Sequence, residues 1–142
     1  MKVVVDASVI VKWLFADRRE EPDIDLALRL MQSVVTGEFE VLQPPHWLAE
    51  VAAVLARLSP ETASDDVELL HAMALPVSDD AVVLRRACKL AIASRQHLFD
   101  TLYHAVALET DDAMLVTADA RYLLAAHRLG RVCALTEWSL NS

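Results

Sequence analysis

The sequence predicts an α/β fold in which a parallel sheet of short strands is covered by helices on both faces, and three observations predict it. Runs of four or five β-branched or apolar residues alternate with longer stretches of helical periodicity, so the strands are joined by crossovers and not by hairpins. The only two glycines, Gly37 and Gly130, stand where helical stretches end. Hydrophobic residues make up 55% of the 142 residues, enough to bury a core under both faces of a sheet within a single domain spanning 1–142.

Lys2 to Val5 is a β-branched run that stops at Asp6, after which Val9, Ile10, Trp13 and Leu14 recur at helical spacing. Pro22 suits the opening of a second helix, with Ile24, Leu28, Met31 and Val35 on one face and Gly37 at its end. Phe39 to Leu42 reads as a strand, and Pro44 and Pro45 break the chain before a helix from His46 to about Leu58. Ser59 and Pro60 supply a cap and first turn for a short helix to about Ala74, and Pro76 to Ser78 suffices for a brief strand. Asp79 and Asp80 cap a helix to about Arg95, and Phe99 or Asp100 opens another to Glu109. Ala113 to Val116 is a strand running into Thr117 and Asp119, a helix follows to Leu129, and Arg131 to Leu135 is the final strand.

Composition excludes several classes. With 21 Asp plus Glu against 13 Lys plus Arg, the formal charge of −8 argues against a sequence-independent nucleic-acid coat, which needs a basic face, while the apolar content excludes a disordered acidic chain. Without a glycine-rich loop, P-loop and dinucleotide-binding proteins are excluded. Asp6 and Lys12 interrupt what would have to be the apolar part of a secretory signal, and the most apolar helical stretch, Trp47 to Leu58, carries Glu50 and Arg57. Cys88 and Cys133 lack metal-ligand spacing and read as small buried hydrophobes in a reducing, cytoplasmic setting.

Four acids lie where charge is expensive. Asp6 and Asp119 each follow a strand, and the carboxyl ends of parallel strands are where open α/β sheets bind ligands; each is equally a good helix cap. Glu50 is the only charged residue from Trp47 to Ala56, and Asp100 sits between Leu98-Phe99 and Leu102. Glu50 has the alternative of reaching solvent on a polar stripe with Arg57, and Asp100 that of capping. Carboxylates gathered without a compensating base in their own segments would repel one another, and hard oxygen donors without a Cys or His cluster point to Mg²⁺ or Mn²⁺.

The run Val3-Val4-Val5-Asp6-Ala7-Ser8-Val9-Ile10-Val11-Lys12-Trp13-Leu14 resembles the first motif of PIN-domain ribonucleases, in particular the VapC-type toxins of prokaryotic toxin–antitoxin pairs. Glu50 in Trp-Leu-Ala-Glu-Val-Ala, Asp100 in Leu-Phe-Asp-Thr-Leu-Tyr-His-Ala and Asp119 in Leu-Val-Thr-Ala-Asp-Ala-Arg-Tyr resemble the remaining motifs in order, so the resemblance runs from Lys2 to about Trp138. It implies a PIN-like three-layer α/β/α sandwich and a Mg²⁺-dependent endoribonuclease, with Asp6, Glu50, Asp100 and Asp119 around one or two ions and cleavage leaving a 5′-phosphate and a 3′-hydroxyl. Ser8 and Thr117 match the family's hydroxyl positions, which orient carboxylates or water; the alternative is that they only satisfy turn backbone. His104, four residues after Asp100, is expected as an ordinary surface histidine, with substrate contact as the other reading.

Arg18 and Arg19, the cluster Arg85, Arg86 and Lys89, and above all Arg121 beside Asp119 are the candidates for holding phosphate, against the alternative of a solvated charged face. The apolar excess predicts an exposed patch and a homodimer. The resemblance further implies a cognate VapB-type antitoxin that lays an amphipathic, partly basic segment beside the acids, with Leu26, Leu30, Leu48 or Leu55 as contacts if they are not core. Two other classes stay open. One is a catalytically silent interaction module of the same fold. The other is a receiver-type phosphotransfer domain, which would want paired acids after the first strand and a lysine after a late one, whereas this chain has Asp6 alone and no lysine beyond Lys89.

Overall fold

The computed structural model describes residues 1–18 and 20–140, the last two by their backbone alone. Its elements are β1 (Lys2–Val5), α1 (Ala7–Leu14), α2 (Ile24–Val35), β2 (Glu40–Val41), α3 (Trp47–Leu58), α4 (Ala63–Ala72), α5 (Ala81–Ser94), α6 (Leu98–Leu108), β3 (Ala113–Thr117), α7 (Ala120–Ala126), a 3-10 turn (His127–Leu129), β4 (Val132–Ala134) and α8 (Leu135–Leu140). The four strands form one parallel sheet in the order β2-β1-β3-β4. The chain therefore turns from β1 to one side, to β2, and returns across the sheet to β3, which makes the gap between β1 and β3 the point where strand order reverses.

Helices lie on both faces, as the sequence predicts. On one face α6 packs on β1 and β3, α5 packs on α6, and α7 joins α6 through a bond between Tyr122 and His104. On the other, α1 packs on β3 and α2, and α8 on β4 and α2, while α3 packs on α1 and touches α6 through His46. Val3, Val4 and Val5 are wholly buried, as expected of a strand covered on both sides, and the seven consecutive residues Thr101–Ala107 make α6 the innermost helix.

Several boundaries differ from the sequence reading for identifiable reasons. The strand expected at Pro76–Ser78 is a single parallel bridge of Val77 to Gln43, because Pro76 has no N–H to extend a ladder. Pro22 lies outside α2, its carbonyl accepting from Lys12 Nζ at 2.8 Å, and Asp23 at φ 59 precedes the first turn. Ser59 closes α3 by donating its N–H to Leu55 O at 2.7 Å, so α4 starts only at Ala63. The ring of His97, rather than Phe99 or Asp100, caps α6 by accepting from Phe99 N at 3.1 Å. Leu135 opens a short helix and does not end a strand: Leu135 and Trp138 are both buried at a spacing of three, and a short apolar run alone cannot separate the two states. Cys88, read as a buried hydrophobe, is exposed; Cys133 is half-buried, and burial followed by the Glu137 carboxylate pushes its thiol up to about 11. Among the described residues no helix is long and apolar enough to cross a membrane.

Candidate active site

Asp6 follows directly on β1 and its backbone N–H donates to Val116 O at 3.0 Å, which seats the residue directly beside β3. It is also the cap of α1, as its position after a strand allows. Oδ2 accepts from Ser8 N at 3.1 Å and from Ser8 Oγ at 2.5 Å, while Oδ1 has no hydrogen bond among the described residues. Asp119 mirrors it after β3: Oδ1 accepts from Arg121 N at 3.0 Å and Tyr122 N at 3.2 Å, and Oδ2 is left over. Capping and ligand binding are thus compatible, since each cap uses one oxygen of its carboxylate.

The hydroxyls tie the two turns together. Ser8 Oγ lies 3.4 Å from Thr117 Oγ1 and accepts from Ala118 N at 3.0 Å, while Thr117 Oγ1 accepts from Asp119 N at 3.0 Å. The bonds that satisfy the turns also tie the turn of Asp6 to that of Asp119.

Asp100 stands in the first turn of α6, where His97 already provides the cap, so its half-buried carboxylate is not spent on the helix. Burial raises its pKa, followed by the charges of Glu50 and Asp119, with His97 and His46 opposing. Asp6 is pushed up to about 6, first by burial and then by Glu50 and Asp100, against the lowering bonds from Ser8. The four acids therefore share one electrostatic neighbourhood at the carboxyl ends of β1 and β3. Their spacing is loose: among the described residues no three His, Cys, Asp or Glu side chains converge closely enough to hold an ion as they stand.

Residues not singled out from the sequence hold this arrangement. Gln43, wholly buried just past β2, donates Nε2 to Val5 O and accepts from Val5 N through Oε1, both at 2.8 Å, so its side chain continues the ladder that the two-residue β2 leaves unfinished beside Asp6. The one sequence signal for it is a lone amide between an apolar strand and Pro44-Pro45. His46 lies ahead of α3 with Nε2 at 2.8 Å from Phe99 O and 3.4 Å from Glu50 Oε2, linking α3 to α6. The ring of Tyr103 packs edge-on to that of His46, with centroids 4.9 Å apart, and its buried hydroxyl faces Glu50 without reaching hydrogen-bond geometry.

Other expectations resolve differently. His104 is not at the surface: it is wholly buried, with Nδ1 at 2.9 Å from Tyr122 Oη and Nε2 at 2.8 Å from Gly130 O. Burial lowers its pKa, so the neutral ring donates Nε2–H to the carbonyl and accepts the Tyr122 proton, and substrate contact is excluded. Arg18 is occupied, donating to Leu58 O at 3.1 Å and to Ser59 Oγ, with its guanidinium 4.3 Å over the Phe15 ring; Arg19 lies outside the described residues. Arg86 pairs with Glu109 at 2.8 Å, and Arg85 and Lys89 are exposed beside it. Arg121 is exposed and its side chain makes no hydrogen bond or ion pair among the described residues. Leu30 and Leu55 are core, and Leu26 and Leu48 are half-buried against it. A cavity of about 230 Å³ beside Asp119 is walled by Lys12, Thr117, Leu123 and Leu135, the Lys12 ammonium being held by Glu21 at 2.8 Å.

Among curated proteins none matches the chain. A family model described as PIN domain matches residues 3–128, a span running from β1 through α7 and containing Asp6, Glu50, Asp100 and Asp119, and the chain belongs to the PIN domain family.

Proposed function

We propose that the chain is a Mg²⁺-dependent endoribonuclease and the toxin of a VapBC-type toxin–antitoxin pair. PIN domains are typically metal-dependent nucleases, and the fold recurs in such systems. The observation that carries the reading is the pairing of β1 with β3 at the reversal of strand order. The strand ends that carry Asp6 and Asp119 are thereby neighbours, and the charges of Glu50 and Asp100 bear on Asp6, which supports the reading.

The donor set fits a hard divalent cation. Every candidate ligand is a carboxylate oxygen, Asp6 and Asp119 each keep one oxygen outside their caps, and burial followed by neighbouring carboxylates raises Asp6 and Asp100. Asp6, Glu50, Asp100 and Asp119 would hold one or two Mg²⁺ ions, with Mn²⁺ able to substitute. When bound, such ions make a water nucleophilic near neutral pH and offset the charge gathering on the phosphate. The chain's own residues do the rest. Ser8 and Thr117 keep Asp6 and Asp119 aimed from rigid strand ends, and the free, exposed guanidinium of Arg121 takes a phosphate oxygen of the RNA in its fork. An apolar segment with a basic side chain, supplied by the antitoxin, would occlude the acids, and a homodimer would cover apolar side chains such as Leu84 and Ile92 that α5 leaves exposed.

The test is cleavage. Purified protein with Mn²⁺ is expected to cut members of a structured-RNA panel, leaving 5′-phosphate ends, whereas D6N and D119N are not. Equal cutting by wild type and both variants would refute the assignment. Metal binding without cleavage of any RNA would favour the silent interaction module.

A further inference from the structure

We propose that Tyr103 is a positioning residue for Glu50, its hydroxyl supplying the hydrogen bond that fixes the Glu50 carboxylate when the acids hold a divalent cation. The inference rests on the metal-dependent reading of the acids and adds to them a neutral donor.

Tyr103, on α6, is among the largest wholly buried side chains, and its Oη has no hydrogen-bond partner among the described residues. A buried hydroxyl left unpaired is costly, so most tyrosines in such places find an acceptor. Its ring packs 4.9 Å from that of His46, whose Nε2 lies 3.4 Å from Glu50 Oε2, and besides burial the charges of Glu50, Asp6 and Asp100 bear on the phenol. Phenylalanine would pack against the His46 ring equally well and avoid the penalty, so packing does not account for the oxygen.

The companion of this orphan is also telling. His46 Nδ1 is buried without a partner, while His46 Nε2 sits between Phe99 O and Glu50 Oε2. Glu50 is thus approached by the imidazole from its own helix end and faced by the phenol from α6, and neither completes a strong bond to it as the protein stands. Repulsion among Glu50, Asp6 and Asp100 opposes gathering the carboxylates, and a divalent charge among them removes that opposition. A phenol within the same pocket can then donate to the remaining lone pairs of Glu50 without adding charge, as the partners of metal-binding carboxylates commonly do.

The experiment is a double-mutant cycle of Y103F and E50Q, read by Mn²⁺ calorimetry and by melting in EDTA. Y103F is expected to melt in EDTA at the wild-type temperature or above it, because it loses only an unpaired hydroxyl. It is expected to bind Mn²⁺ at least about tenfold more weakly, the usual effect of removing a ligand's hydrogen-bond partner. In the E50Q background Y103F should change Mn²⁺ affinity little. Unchanged affinity in the single variant, equal losses in both backgrounds, or a lower melting temperature in EDTA would each overturn the proposal. The two readings fail separately. Unaltered Mn²⁺ binding by Y103F in a protein that cuts RNA defeats the role of Tyr103 alone, and a Tyr103-dependent Mn²⁺ site in a protein that cuts no RNA defeats the ribonuclease assignment alone.

Discussion

Replacing Gln43 with leucine removes both hydrogen bonds to the main chain of Val5, each 2.8 Å long and buried, and leaves an N–H and a carbonyl without partners in the sheet interior next to Asp6. An orphaned buried group costs about 1–3 kcal/mol, so two cost about 2–6 kcal/mol. Burying an apolar side chain in place of the amide returns about 2 kcal/mol. The expected net loss is about 0–4 kcal/mol, centred on about 2 kcal/mol, against the roughly 5–15 kcal/mol that holds a domain of this size. Urea unfolding in EDTA measures it, and Mn²⁺ calorimetry on the same variant should show weaker binding, since Asp6 follows directly on the loosened residue. Gln43→Glu serves as the control. It keeps an acceptor for Val5 N–H but sets a carboxylate against Val5 O at neutral pH, so its stability should recover as pH falls and the carboxyl regains a proton to donate. A Gln43→Leu variant more stable than the wild type would refute the account of Gln43 as a surrogate strand.

Further outcomes separate cap from ligand. D6N and D119N should abolish cleavage while leaving metal-free stability unchanged or raised, because asparagine caps as well as aspartate and carries no charge; D6A should instead lose about 1 kcal/mol in urea unfolding. Asp6, raised from 3.8 to about 6 in the folded protein, binds its proton more tightly when folded. Metal-free stability should therefore rise as pH falls from 7 through about 6 toward 4, by at most about 3 kcal/mol, in urea titrations at stepped pH, and D6N should flatten that rise. H104A should cost about 2–6 kcal/mol by orphaning Tyr122 Oη and Gly130 O, yet leave Mn²⁺ affinity within about twofold, as calorimetry would report.

Strand ends and caps were legible because their signals are local. β-branched runs stop at an acid or at Thr117, and Gly37 and Gly130 occupy positive φ of 79 where helical stretches finish. Asp6, Asp119, Ser8 and Thr117 could be singled out for the same reason, each lying within three residues of a strand end. What escaped depends on pairs far apart in the chain. Gln43 gains its meaning only from Val5 across the sheet, His104 from Gly130, and Tyr103 from Glu50 on another helix, and no periodicity reports such meetings. His104 also shows the limit of composition: a polar residue on an otherwise apolar helix looks like surface until both ring nitrogens prove to be matched. α8 was lost to the ambiguity of a short apolar run, and the bridge at Val77 to a proline that permits an extended chain without permitting a ladder.

The register of β1 against β3 pairs Lys2 with Ala113 and Val5 with Val116, so β1 finds its neighbour far along the chain. Closing so long a loop delays parallel pairing until most of the chain exists. An incomplete chain lacks not only Asp119 but the whole wall against which Asp6 is set. The acidic centre is consequently assembled late, only once β3 has been made and has joined β1.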